Sequence, residues 1–244
     1  MDLTAGQPSP AFDAAHRSGQ TEILDRPIET AELTKILSDL ARFNGAMMGH
    51  WPVIRWLNRA TRNVPVDQPL TFVDVGCGYG DLLRAVRRWA RKQGRPMKLI
   101  GIDLSPQVIE IARGVTDASE NIQYQVADIL TYKAAVPIDF VATSLVTHHL
   151  SDGMIVKFLR WMEASARRGW VIYDLQRSMV PFYFIKLAGW LMQLHKVVVY
   201  DGRVSVARSL TREEWESLLA SARIPRAAVK IRWFMFRFAI GRLR

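Results

Sequence analysis

Apolar side chains recur at helical spacing early in the chain: Leu33, Ile36, Leu37, Leu40 and Phe43 share one face. Asn44-Gly45 interrupts that face, and Trp51-Pro52 opens a second helix carrying Ile54, Trp56 and Leu57. Pro65 and Pro69 mark a linker. From Leu70 the pattern changes to short apolar runs alternating with helical stretches. Strands are predicted over 70–75, 98–103, 122–127, 138–145 and 170–175, and helices over 81–93, 105–114 and 151–168. Ser105-Pro106 and Ser151 supply helix starts, and Ile155, Phe158, Leu159 and Met162 give the last of these helices its inner face. Strands that alternate with helices imply a parallel sheet covered on both faces, with right-handed crossovers.

After the fifth strand, residues 179–200 are strongly apolar, with Phe182, Phe184, Ile185, Leu187 and Leu191 among them. Lys186 and His195 interrupt the run, which is too short for a comfortable transmembrane span. It reads either as a core helix or as a lid over an apolar pocket that touches a membrane. Thr211-Arg-Glu-Glu214 is a capping-box pattern. The runs 229–234 and 235–240 predict two closing strands in a hairpin, making seven strands in all. The first twenty or so residues are rich in Pro, Ser, Ala and Gly without periodicity, so residues 1–25 are expected to form a flexible tail.

Composition narrows the class. Of 244 residues, 49% are hydrophobic, enough to fill a core. The N-terminus lacks a basic start followed by an apolar run, so no secretory leader is expected. A lone cysteine, Cys77, excludes an intrachain disulfide and fits a reducing, cytoplasmic setting. One Cys and five His make a cysteine-based zinc site unexpected, and no metal is expected. The net charge of +10 is compatible with a solvated surface, nucleic acid, an anionic membrane or an acidic substrate. Part of it sits on the helix over 81–93, where Arg84, Arg87, Arg88 and Arg91 flank a stripe of Leu82, Leu83, Val86 and Ala90.

The motif with the most chemical content is Phe72-Val-Asp-Val-Gly-Cys-Gly-Tyr-Gly-Asp-Leu-Leu83, set between a strand and a helix. Gly76, Gly78 and Gly80 allow a tight turn and close approach of backbone to a ligand. The spacing is G-x-G-x-G, and Asp81 stands where a dinucleotide-binding turn needs its last glycine. No Gly-Lys-Ser/Thr follows, which excludes a P-loop. With acids at the next strand ends, residues 70–175 resemble the class I S-adenosylmethionine-dependent methyltransferases. The resemblance implies a doubly wound, seven-stranded, mostly parallel α/β sheet, with residues 26–66 as N-terminal helices capping the substrate. Residues 67–244 would form the methyltransferase domain, with 178–200 as a lid insertion. It implies S-adenosylmethionine as cofactor, held by the loop residues Asp74, Gly76, Cys77, Gly78 and Gly80 and by Ser144 at the end of the fourth strand. Asp103 would accept hydrogen bonds from the ribose hydroxyls, a task suited to an acceptor-only carboxylate. The alternative is that Asp103 caps the helix opened by Ser105-Pro106. Leu104 would lie beside the adenine, Asp128 near its amino group and Ile129 on its ring.

Ligands of doubly wound sheets lie beyond the carboxyl ends of the strands, which places His148 and His149 near the methyl donor. Either is a candidate general base toward a phenol or enol, with His149 slightly preferred. Otherwise one hydrogen-bonds backbone and the other packs. The Asn/Asp-Pro-Pro-Tyr/Phe motif of many nucleic-acid amino-methyltransferases is absent. Asp174 and Arg177 at the end of strand five either bind substrate or pair with each other. Tyr183 and Trp190 are candidate acceptor contacts from the apolar segment, with Tyr200, Arg203 and Arg208 behind them. The runs His148-His-Leu-Ser-Asp152, Gly169-Trp-Val-Ile-Tyr-Asp-Leu-Gln-Arg-Ser178 and Asp201-Gly-Arg-Val-Ser-Val-Ala-Arg208 resemble bacterial small-molecule methyltransferases. That resemblance implies O- or C-methylation of a lipophilic aromatic, phenolic or polyketide-derived acceptor. A monomer or homodimer that does not act on nucleic acid is expected, and the apolar segment offers peripheral membrane contact. A nucleic-acid methyltransferase and a non-catalytic cofactor-binding subunit are the alternatives.

Overall fold

The computed structural model describes residues 3–244; Met1 and Asp2 lie outside the described residues. Two helices come first, α1 (Thr30–Ala46) and α2 (Trp51–Ala60). The α1 helix runs through Asn44-Gly45 and ends where Met48 turns left-handed at φ 49°. Then come β1 (Leu70–Val75), α3 (Asp81–Lys92), β2 (Met97–Asp103), α4 (Pro106–Gly114), β3 (Ile122–Val126) and β4 (Ile138–Ser144). They are followed by α5 (Asp152–Ser165), β5 (Ala166–Leu175), α6 (Met179–Leu191), α7 (Lys196–Arg208), α8 (Arg212–Ser221), β6 (Val229–Phe234) and β7 (Arg237–Leu243). The sheet has seven strands in the order β3-β2-β1-β4-β5-β7-β6. The first five run parallel, while β7 is antiparallel to both β5 and β6. The order reverses between β1 and β4, the crevice where open α/β sheets bind ligands.

Several local devices are readable in the residues. The Ser105 and Ser151 hydroxyls accept from Val108 and Met154 N–H groups, and Thr211 and Glu214 close the expected capping box. The helix predicted to reach 168 stops at Ser165, because β5 already pairs at Ala166 with Ile138 of β4. The closing hairpin turns on Met235 and Phe236, both left-handed (φ 46° and 64°), so its second strand starts at Arg237 rather than at 235. That twist suits a two-residue hairpin, but neither residue is a glycine, so the backbone there is strained.

Apolar clusters fill both faces of the sheet. One joins α5 and α8 to the sheet around Phe158, Trp170 and Trp215. The other joins α2, α3 and α4 around Leu57, Phe72 and Leu83. A third lies beyond the strand ends, where Phe182, Ile185 and Val198 meet Ile36, Phe43 and Leu175. The apolar segment after β5 is therefore a helix, α6, with its inner face in this cluster, followed by the start of α7. Among the described residues no helix is long and apolar enough to cross a membrane.

The N-terminal region departs from the flexible tail expected over 1–25. Glu22 and Ile23 are each 3% exposed. Phe12 packs its ring 5.2 Å from that of Phe182, and Ser18 N–H donates to the Ala207 carbonyl. Arg17 donates to the Arg208, His148 and Leu150 carbonyls and pairs with Asp152 at 2.7 Å. Tyr200 donates to Pro8 O, and Arg203 lies 4.3 Å over the Phe182 ring and donates to Pro10 O. A segment without hydrophobic periodicity is thus held through its carbonyls by side chains distant in sequence.

Candidate active site

The loop after β1 turns through three left-handed glycines, Gly76, Gly78 and Gly80. A Cβ on Gly76 would collide with Val146, and one on Gly80 with the Tyr124 hydroxyl, so sterics as well as φ reserve both positions for glycine. At Gly78 a Cβ would meet nothing within 4 Å, and this residue lines a cavity of about 500 Å³. Asp103 lines the same cavity: its Oδ2 accepts from Gly78 N–H at 3.1 Å and its Oδ1 from Ser105 N–H at 3.0 Å. Leu104, Asp128 and Ile129 continue the wall, with Asp128 Oδ1 accepting from Leu130 N–H at 2.9 Å. The sequence-selected nucleoside residues therefore share one wall.

A smaller cavity of about 120 Å³ lies beside Asp74, Cys77 and Ser144. Cys77 is buried, and burial raises its thiol pKa well above the usual value. Asp74 is 2% exposed and its Oδ1 has no hydrogen-bond partner. Burial, and then the charges of Asp81 and Asp103, push its pKa well above the usual carboxylate range. Opposite stands Arg237, 4% exposed, which lines both cavities. Its Nη2 donates to Asn44 Oδ1 at 2.8 Å, and among the described residues no carboxylate pairs with it. Burial lowers its pKa, against the charges of Tyr173, Asp174 and Asp81. An unpartnered buried carboxylate oxygen and an unpaired buried guanidinium fit the ammonium and carboxylate of an amino-acid moiety. His50 Nε2 lies 2.8 Å from Asp81 Oδ2 on the same wall. Burial works against the Asp81 carboxylate, but His50 outweighs it and keeps its pKa below the usual value.

The far end of the large cavity holds the titratable groups. His148 is 3% exposed, and its Nδ1 lies 2.7 Å from Asp174 Oδ1. Asp174 also accepts from the Thr147 hydroxyl and from the His148 and Leu175 N–H groups. Burial raises its pKa, but the charge of His148 and these hydrogen bonds prevail and hold it at about 2. Glu22, from the N-terminal region, brings Oε1 to 3.6 Å from His148 Nε2 and Oε2 to 3.7 Å from His149 Nε2. His149 Nδ1 faces Asp25 at 3.4 Å. Burial pushes the Glu22 pKa up to about 7 despite His149, the Ser205 hydroxyl and Arg208. Asp201 accepts from Ile23 and Leu24 N–H groups, and burial raises its pKa to about 6.

Glu22, His148 and His149 offer ligand atoms within 4.8 Å of one another, each histidine carrying a carboxylate on its other nitrogen. Such a set suits a proton relay and is also a donor set of the kind that holds divalent ions, which the sequence did not foreshadow.

Four expected acceptor contacts lie elsewhere. Arg177 pairs with Glu214 at 2.6 Å and donates to the Ala14 and Ala15 carbonyls, away from the cavity and from Asp174. Asp174 itself sits behind His148 rather than at the mouth. Tyr183 and Trp190 are 57% and 74% exposed on the outer side of α6, where they cannot line the cavity. Ile185, from the inner side, lines it instead. Arg208 reaches Asp25 at 3.2 Å and so borders the cluster.

Glu22 gives rise to a pH prediction. Its carboxyl titrates near 4.5 when unfolded and near 7 when folded, so the folded state holds the extra proton in between. Stability therefore falls as pH rises through that window, by about 3 kcal/mol. Glu22→Gln is expected to flatten the pH dependence of the melting temperature there. An unchanged slope would place its origin elsewhere, with Asp201 the next group of the same sign.

Residues 72–169 match a family model described as a methyltransferase domain. Trans-aconitate 2-methyltransferase of Azoarcus sp. (strain BH72) is 30% identical over 90 residues, which cover 36% of this chain and 32% of that protein. The match thus spans about a third of the curated relative's length. The plantazolicin methyltransferase BpumL in complex with SAH superposes with a TM-score of 0.62 at 16% identity, covering 88% of this chain and 95% of that one. Magnesium protoporphyrin IX methyltransferase from Synechocystis PCC 6803 with bound SAM gives 0.52 at 15% identity, covering 82% and 80%. Human N-acetylserotonin methyltransferase in complex with SAM gives 0.58 at 16% identity, covering 88% and 56%. At such identities the structural likeness speaks for the fold. Over residues 72–169 the matched family model, the sheet order and the glycine loop at the end of β1 agree on a methyltransferase domain.

Proposed function

We propose that this protein transfers a methyl group from S-adenosylmethionine to oxygen or carbon of a small, lipophilic aromatic, phenolic or enolic acceptor. The observation that carries the reading is the continuity of the 500 Å³ cavity, which joins Gly78 and Asp103 to the Glu22, His148 and His149 cluster. Beyond that cluster its walls are apolar, formed by Phe43, Leu175, Leu194 and Val198.

The bound cofactor supplies an electrophilic methyl carbon on a cationic sulfur. Asp103 would hold the ribose, Leu104, Asp128 and Ile129 the adenine, and Asp74 and Arg237 the two charged groups of the methionine moiety. His148 Nε2 accepts the proton of an acceptor hydroxyl or acidic carbon, and Asp174 stabilises the imidazolium through Nδ1. Glu22 lies in reach to take that proton onward. The apolar walls exclude water and hold a flat acceptor against the polar end.

The direct test is a mass-shift screen of phenolic and enolic acceptors with isotopically labelled S-adenosylmethionine. Absence of calorimetric cofactor binding would refute the proposal at its root. Arg237→Gln is expected to weaken the cofactor by about 10- to 100-fold, through loss of charge-assisted hydrogen bonds. Its melting temperature should not fall correspondingly, because the guanidinium removed is buried without a partner carboxylate. Unchanged affinity would remove Arg237 from the cofactor site.

A further inference from the structure

The α6 helix is apolar on both sides. Its inner residues Phe182, Ile185 and Ala188 are buried. Its outer side carries Met179, Val180, Tyr183, Leu187, Trp190 and Leu191, each more than half exposed. Their spacing puts them on one stripe along the helix. The stripe continues into the closing hairpin: the Phe184 ring lies 5.3 Å from that of Phe236, which lies 6.1 Å from Trp233. On the same hairpin Phe234 stacks on Trp51 of α2 at 4.8 Å, and the Arg55 guanidinium covers Trp51 at 4.9 Å.

The exposed charges on α2 and β6 are all basic. Arg55, Arg59, Arg62 and Arg232 are all exposed, and among the described residues none of them pairs with a carboxylate. Partial desolvation and then the charges of Arg232, Arg55 and Arg62 lower the pKa of Arg59. A contiguous exposed apolar stripe marks an interaction surface. Nucleic acid would answer the arginines but not a row of aliphatic side chains. A second copy packed symmetrically over this face would bring two arginine clusters together. An anionic bilayer answers both features: the stripe enters the headgroup–acyl boundary, Trp and Tyr settle at the interface, and the guanidinium groups meet lipid phosphates.

The geometry points to the outer face of α6, the β6–β7 hairpin and the α2 arginines as a docking surface for an anionic lipid bilayer. Ile185, on the inner side of the same helix, lines the large cavity, so docking sets a wall of the acceptor chamber beside the lipid. The docking does not depend on methyl transfer, and its test fails or succeeds apart from that reading.

The test is sedimentation of the full chain with vesicles of phosphatidylcholine alone or mixed with phosphatidylglycerol. The protein is expected to pellet with the mixed vesicles and not with phosphatidylcholine alone. Release is expected as salt approaches about 1 M, where the screening length is about 3 Å. Combined Arg55→Glu, Arg59→Glu and Arg232→Glu should lower partitioning by more than about tenfold, and Leu187→Ser with Trp190→Ser comparably. Both variants lie away from the cofactor loop, so retained calorimetric binding of S-adenosylmethionine reports intact folding. Wild-type protein left in the supernatant with mixed vesicles overturns the proposal, as does undiminished binding by both variants. A wild-type dimer that Leu187→Ser with Trp190→Ser dissociates, without vesicle binding, assigns the face to a second copy. Duplex DNA binding without vesicle binding assigns it to nucleic acid.

Discussion

His148→Asn is expected to lower kcat by about 10²- to 10⁴-fold, the usual contribution of a positioned general base, while cofactor affinity stays nearly unchanged. Asp174 accepts at His148 Nδ1 and thereby directs Nε2 toward Glu22 and the cavity. Its carboxylate is charged across the neutral range, with a pKa held at about 2, so it stabilises the imidazolium that forms when His148 takes a proton. Asp174→Asn keeps the shape but removes the charge and the fixed tautomer, and should approach the loss seen in His148→Asn. It also has a stability signature. A carboxyl whose pKa falls from 3.8 to about 2 on folding contributes stability above its unfolded value, and that stability is lost as pH drops through about 2. Asp174→Asn should therefore cost about 2 kcal/mol at neutral pH and much less in strong acid. His149, 32% exposed, should tolerate substitution by alanine better. If turnover survives in both His148→Asn and His149→Ala, the site works by positioning alone.

That assignment reverses the sequence-based preference for His149, for a reason local sequence cannot hold. Both histidines follow β4, and only the pairing of Ser144 with Tyr173 sets Asp174 beside one of them. The wall of Gly78, Asp103, Leu104, Asp128 and Ile129 was legible because its residues are local: β-α alternation places successive strand ends side by side. Glu22 and Asp25 gave no signal, since their segment has no periodicity and is held by arginines from distant helices. Arg237 was hidden in a closing hairpin whose left-handed turn lacks glycine. Tyr183 and Trp190 were misplaced because α6 is apolar all round, and periodicity cannot tell the inner face of such a helix from the outer. Arg177 was set beside Asp174 by proximity in sequence, but the capping residue Glu214 takes it.

Asp103→Ala is expected to raise the dissociation constant for S-adenosylmethionine by about 10²- to 10³-fold. Each hydrogen bond to a charged group contributes about 1.5–3 kcal/mol, and a ribose offers two hydroxyl donors. An ionised carboxylate has about four acceptor positions. In the structure Gly78 N–H and Ser105 N–H take one on each oxygen, which leaves one per oxygen on a side chain that lines the cavity. The bond to Gly78 ties the glycine loop to the end of β2, so a side chain proposed to hold the ribose also sets the backbone of the loop beside it. Asp103→Asn retains a single acceptor oxygen and should lose less than the alanine variant. A 2′-deoxyribose analogue separates the roles: its penalty should be large with the native protein and small with Asp103→Ala, because the partner of the missing hydroxyl is already gone. If Asp103 served only to cap the turn into α4, Asp103→Ala would lower the melting temperature and leave affinity unchanged. Equal penalties for the analogue in both proteins would likewise deny it contact with the ribose.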